Sequence, residues 1–130
     1  MNKKGFTLIE LLAVIVILAI IALIVTPIVS NIIASARNSA NARSVEGHID
    51  NIEYAIISKA FNEGTDIGFF DGSKTNEAVK TSITVPSNDT IECESYVLEA
   101  GIVKTATNCK AADWAKTYSY SATEGAKPIN

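Results

Sequence analysis

The sequence predicts an α+β protein, one long N-terminal helix laid against a small antiparallel β-sheet, and three observations predict it. An uncharged run extends from Leu11 to Ala36, 26 positions in all. Apolar residues then recur at spacings of three and four up to about residue 61. Short β-rich runs divided by turn formers fill the remainder.

Size and charge set the bounds. With 130 residues the chain holds one domain at most. Setting the uncharged run and its flank aside leaves roughly 90 residues for a globular part, where a single core is marginal and a covalent staple helps. The net charge is −3, and beyond Ala36 there are 9 basic against 13 acidic residues. That sign argues against a binder driven by nucleic-acid phosphates.

The uncharged run is the first element. Leu11 to Val25 is entirely Leu, Ile, Val and Ala, and a bilayer core needs about 20 such residues as helix. Lys3 and Lys4 precede it, so the positive-inside rule puts the N-terminus in the cytoplasm and the rest of the chain outside. A secretory signal peptide is one alternative, because Ala34-Ser35-Ala36 has the A-x-A form, although the apolar core is far longer than a signal needs. A plain single-pass anchor is another.

Glu10 stands one turn into this element and requires an account. Thr7-Leu8-Ile9-Glu10 has the spacing of a capping box, and a carboxylate in a first turn suits the helix dipole by about 0.3–1 kcal/mol. Placing an ionised carboxylate deep in hydrocarbon costs roughly 2.5–3.5 kcal/mol. Capping therefore suffices at headgroup level and falls short if the site is deep.

The stretch KKGFTLIELLAVIVILAIIALIVTP resembles the N-terminus of a type IV pilin precursor, with Gly5, Phe6, Thr7, Leu8, Ile9 and Glu10 matching that family in order. The resemblance covers about the first 27 residues; the rest agrees in general layout, and the short leader and long helix are similar to Gram-positive examples. It implies cleavage between Gly5 and Phe6 by a membrane prepilin peptidase, and methylation of the new Phe6 amine. It further implies docking at an inner-membrane assembly platform and homopolymerisation into an extracellular type IV pilus. Glu10 would then be the assembly charge: four residues from Phe6 and on its helix face, it can pair with its own N-terminal amine or that of a neighbouring subunit. A pseudopilin of a secretion or DNA-uptake machine shares the same leader, and a tethered, non-polymerising binding module is the alternative of a different class. On this reading residues 1–5 are leader, 6–27 the membrane and filament-core helix, 28–63 its amphipathic continuation, and 64–130 the head.

Pro27 lies within the helical pattern and removes the N–H that would bond Leu23, which predicts a kink or local opening. Beyond it, Ala42, Val45, Ile49, Ile52, Ile56 and Ala60 form one apolar stripe, and Tyr54, Ile57 and Phe61 a second edge. The two edges fit either a wide core face or a helix with sheet on one side and filament neighbours on the other. Gly64 supplies the stop.

Residues 65–82 read as a loop with a short helical turn near Asn76 to Lys80. Asp71, Ser73, Thr75 and Glu77 faintly resemble a calcium loop whose glycine is misplaced; a solvated loop is preferred. SITV, TIECESYVL, GIVKTATN and TYSYSA predict three or four strands, Ala100-Gly101 turns the second into the third, and residues after Glu124 read as a frayed tail. A two-residue turn there sets Cys93 opposite Asn108, one place from Cys109. A bulge would bring the two cysteines into a disulfide worth about 3 kcal/mol; two unpaired buried thiols are the alternative.

No catalytic or cofactor signature emerges. His48 is read as a helix-surface residue, and one histidine with two cysteines makes no usual zinc site. Neither a phosphate loop nor a nucleophile elbow is present. Asn88-Asp89-Thr90 has the form of a glycosylation sequon. Tyr96, Trp114, Tyr118 and Tyr120 are assigned to packing in the sheet, with an exposed adhesive patch as the alternative. No metal, cofactor or catalytic residue is expected.

Overall fold

The computed structural model describes residues 5–129, so the first four residues of the expected leader lie outside it. The chain divides into two compact units at Arg37/Asn38, and each is described by itself.

Up to Arg37 the chain is the first part of helix α1 (Leu8–Glu63). Every described apolar side chain here is exposed. The segment is long and apolar enough to cross a membrane. Helix continues through Pro27, and the Thr26 hydroxyl donates to the Ala22 carbonyl at 2.6 Å.

From Asn38 onward the same helix acquires an inside. Val45, His48, Ile49, Ile52, Ala55 and Ile56 are buried, recurring every three or four residues. Tyr54, Ile57 and Phe61 remain exposed, so the two apolar edges do not merge into one wide core face. Gly64, at φ +64°, ends the helix in the left-handed conformation.

Five antiparallel strands follow as a meander in the order β1-β2-β3-β4-β5: β1 (Gly72–Thr75), β2 (Ser95–Glu99), β3 (Ile102–Cys109), β4 (Thr117–Ser121) and β5 (Gly125–Ile129). Tyr96, Leu98, Val103, Ala106, Cys109 and Tyr118 join the helical stripe in one core cluster. The expected α+β architecture is present, with three differences in the head.

Residues 65–82 hold the expected helical turn as α2 (Asn76–Ser82), N-capped by Thr75, but what precedes it is not plain loop: it contains a 3-10 turn (Ile67–Phe70) and β1. SITV is not a strand: Ser82 ends α2, its hydroxyl bonding the Ala78 carbonyl, and Pro86 lacks an N–H for a ladder. Ile83 is nonetheless buried and Val85 packs on the core. The tail after Glu124 is not frayed but forms β5 at the sheet edge, with Pro128 opposite Tyr118. Gly125 makes that hairpin possible: its φ is +78°, and a Cβ there would lie 2.5 Å from Glu46 Oε1.

The β2–β3 hairpin turns at Ala100-Gly101, both with positive φ, as a two-residue turn requires. A bulge between Val97 and Leu98 then shifts the register by one, from Leu98↔Val103 to Val97↔Thr105 and on to Ser95↔Thr107. The isolated Glu92↔Lys110 bridge keeps the shifted register, which sets Cys93 opposite Cys109, and the two are disulfide-bonded.

Candidate functional site

Two groups of side chains are candidates, one in each unit. The first begins where chain enters helix. Gly5, Phe6 and Thr7 have no regular secondary structure and are exposed, and α1 starts at Leu8. The Thr7 amide donates to Glu10 Oε2 at 2.9 Å, and the Glu10 amide donates to Thr7 Oγ1 at 3.3 Å. This is a reciprocal capping box, which satisfies two N–H groups that the first turn would otherwise leave unpaired. The Gly5–Phe6 bond precedes the cap on open, non-helical backbone, and Phe6 is 91% exposed.

The second group is a buried polar network that the sequence reading missed. His48 is not a surface histidine but only 4% exposed. Its Nδ1 lies 2.8 Å from Asp89 Oδ2 and its Nε2 2.8 Å from the Tyr96 hydroxyl. Asn51 Nδ2 donates to the same Asp89 oxygen at 2.8 Å, and the Ile91 amide donates to Oδ1 at 3.1 Å. His48 Nδ1–H donates to Asp89, and the Tyr96 hydroxyl shares a hydrogen bond with Nε2 and donates to Asn76 Oδ1 at 3.4 Å. Burial pushes the Asp89 carboxyl up, but hydrogen bonds from Asn51 and His48, the His48 charge and the Ile91 amide outweigh it and hold the group below its ordinary value. Burial likewise drives the Tyr96 phenol up to about 12.

A Tyr-His-Asp string invites comparison with a proton relay, but its surroundings make it structural. Tyr96 is 1% exposed, and its raised pKa opposes the phenolate a nucleophile would need. The void that Tyr96 lines measures about 80 Å³, well below a small-molecule pocket of roughly 300–1,000 Å³, and the larger hollow of about 490 Å³ beside His48 and Asp89 does not reach Tyr96. What the network does is tie α1, the 89–91 segment and β2 together. Glu53 and Glu46 extend the tie, accepting from the backbone amides of Val103 at 2.9 Å and Ala126 at 3.3 Å.

The remaining candidates find structural places. Asp71 accepts from the Ala100 amide and Thr75 caps α2. Among the described residues no cluster of three or more His, Cys, Asp or Glu side chains has a metal-binding arrangement. Tyr96 and Tyr118 are buried, Trp114 packs edge-on against Tyr118 at 5.4 Å, and Tyr120 lies against the core, so they form no exposed patch. His48 had a signal: three residues after Val45 and four before Ile52, it falls on the apolar stripe.

An N-terminal helix long and apolar enough to cross a membrane, leading into a disulfide-stapled α+β head, is the layout of a membrane-inserting precursor. Over residues 1–26 the chain matches the prokaryotic N-terminal methylation motif, and with the long apolar helix this supports a type IV pilin-like prepilin. That motif belongs to structural, pilin-type proteins and to no enzyme class. No curated protein and no solved structure matches the chain.

Proposed function

We propose that the protein is a structural subunit of an extracellular type IV pilus, assembled through α1 after cleavage at Gly5–Phe6 and methylation of Phe6. The observation that carries the reading is the exposure of every apolar side chain from Phe6 to Ile33, around a single charge at Glu10. A surface that apolar must be covered by lipid before assembly and by other subunits after it.

On this reading Glu10 changes partners. In the precursor its carboxylate caps Thr7. Prepilin peptidase then creates a cationic amine on Phe6, and Glu10 pairs with the amine of a neighbouring subunit and so sets register. Pro27 lies where the helix lacks one hydrogen bond and supplies a kink on assembly. The head is delivered outside the cell, where a disulfide persists.

The test is the mass and N-terminal sequence of protein sheared from the cell surface. A chain beginning with methylated Phe6 in fibres is expected. A chain beginning at Arg37, or intact protein retained in the membrane, would overturn the reading. Glu10→Gln sharpens it, because glutamine still serves a capping box but carries no charge. Membrane insertion should persist while fibres are lost; wild-type piliation in this variant would reduce Glu10 to a cap.

A further inference from the structure

The head carries a hollow that the filament reading leaves without a task. It holds about 490 Å³, within the roughly 300–1,000 Å³ that small-molecule sites occupy. All of its lining residues lie beyond Asn38, in one compact unit. One wall is α1, where Gly47 offers only backbone and Asn51 an amide. Two turns supply the others. The Asp89 amide closes the first on the Pro86 carbonyl at 3.0 Å and brings Asn88 and Thr90 to the hollow. The Trp114 amide closes the second on the Ala111 carbonyl at 3.1 Å and brings Asp113 and Trp114 there.

The arrangement is firm but its polar groups are not all engaged. Asp89 ties the first turn to α1 through His48 and Asn51. Asn51 gives only Nδ2 to that tie, and its Oδ1 has no partner among the described residues. The exposed side chains of Asn88, Thr90 and Asp113 likewise make no hydrogen bond among the described residues. Trp114 is half-buried, and Tyr118 meets it at 75°, so that ring does not stack flat on the indole.

We propose that this hollow binds a neutral saccharide, one pyranose unit set against Trp114 with its hydroxyls held by Asn51, Asn88, Thr90 and Asp113. The composition selects that class. A pyranose has an apolar face of C–H groups and a rim of hydroxyls that each donate and accept. An aromatic ring takes the first, and amide, hydroxyl and carboxylate groups take the second. No lysine or arginine lines the hollow, and Asp89 and Asp113 make it acidic, so phosphates and acidic sugars are repelled. A wholly apolar ligand would strip water from the amides and the carboxylate without replacing it. A cation is the competing ligand, because an indole and carboxylates suit one. A quaternary ammonium cannot engage the two amides and the hydroxyl, which favours the sugar. The site lies in the head and needs no polymer, so it goes beyond the filament reading and does not depend on it.

The test uses the full chain in a polyoxyethylene detergent, which has no sugar headgroup. Trp114 is the single tryptophan, so its fluorescence reports on the hollow directly. The probes are glucose, galactose, mannose, N-acetylglucosamine and N-acetylgalactosamine, with tetramethylammonium as the cation. Each is taken to about 50 mM, beyond the millimolar range expected of one sugar unit. A saturable change with at least one sugar is expected. Asp113→Ala and Asn88→Ala remove exposed groups that the fold does not use, so urea midpoints should stay at the wild-type value. Affinity should nonetheless fall, by about tenfold for Asp113→Ala, which loses a hydrogen bond to a charged group. No response to any sugar overturns the proposal. So does a response that both variants leave unchanged, which would place the sugar elsewhere. Binding of tetramethylammonium with no sugar response would make the hollow a cation site and overturn it too. Midpoints that fall together with affinity in both variants would assign these side chains to the fold and sink the site.

Discussion

One helix serves two environments, and the contrast between its halves shows how each is specified. Up to Arg37 the described residues are exposed, and the apolar ones lie on every side of the helix. From Asn38 the helix is divided into a buried stripe and an outward face bearing Arg43, Asp50 and Tyr54. The stripe of the second half is held by a core of named partners. The described apolar residues of the first half are exposed and depend on their surroundings for cover. Substitutions in the two halves should therefore fail in different assays.

Ile52→Ala in the second half should have the largest effect on head stability. Ile52 is fully buried in the central cluster, and such truncations cost about 2–5 kcal/mol. Leu18→Ala, on an exposed position of the first half, should leave head unfolding unchanged. Urea titration of the whole protein in detergent, followed by the fluorescence of Trp114, measures both. A similar loss from each would break the comparison, because it would make the first half part of the head's fold.

Removing the disulfide comes next. The Cys93→Ser, Cys109→Ser double variant opens a closure spanning 16 positions and should lower stability by about 3 kcal/mol. Membrane insertion, a property of the first half, should be unaffected. A head equally stable with and without the bridge would mean that the shifted β2–β3 register is held by its hydrogen bonds alone.

The two halves were also unequally legible in the sequence. The N-terminal motif, the apolar helix and its stop at Gly64 could be read because the information is local: composition, a six-residue motif and one glycine. The Ala100-Gly101 turn is local too, and the disulfide follows from it once a bulge is admitted. The misses all depend on distant partners. β1 is Gly-Ser-Lys-Thr, turn-forming by composition, and becomes a strand because Ser95–Glu99 pairs with it. β5 looks like a polar tail until Gly125 is seen against Glu46. His48 sits on the stripe by spacing, but its burial requires acceptors and donors 41 and 48 positions away. SITV failed in the opposite sense: Ile83 is buried and Val85 packs on the core, but no strand among the described residues pairs with them.

Acid should affect the head through Asp89. Its carboxyl is held below the ordinary 3.8 in the folded chain, so it contributes stability fully above that value. The contribution is lost as pH falls through the lower, folded pKa. Asp89→Asn removes this titration, and it also removes the anionic acceptor shared by His48 and Asn51, at a cost of about 1–3 kcal/mol near neutrality. The gap between wild type and variant should therefore narrow from pH 5 toward about pH 2 in a series of urea midpoints. A constant gap would mean that the carboxylate's charge is not what holds the network.

The smallest expected effect separates the two faces of the second half most sharply. Gly47 lies on the outward side of α1, away from the core stripe, with open space where a Cβ would be. Gly47→Ala should raise head stability by about 0.5–1 kcal/mol, because alanine loses less backbone entropy in a helix interior. If the outward face seats another helix, the same methyl holds two backbones apart, and fibre yield should fall although the subunit is more stable. A more stable subunit with undiminished fibres would show that the outward face carries no close helix contact at this position. The pairing of these two readouts matters because a merely destabilising variant lowers both, and no folding defect produces opposite signs.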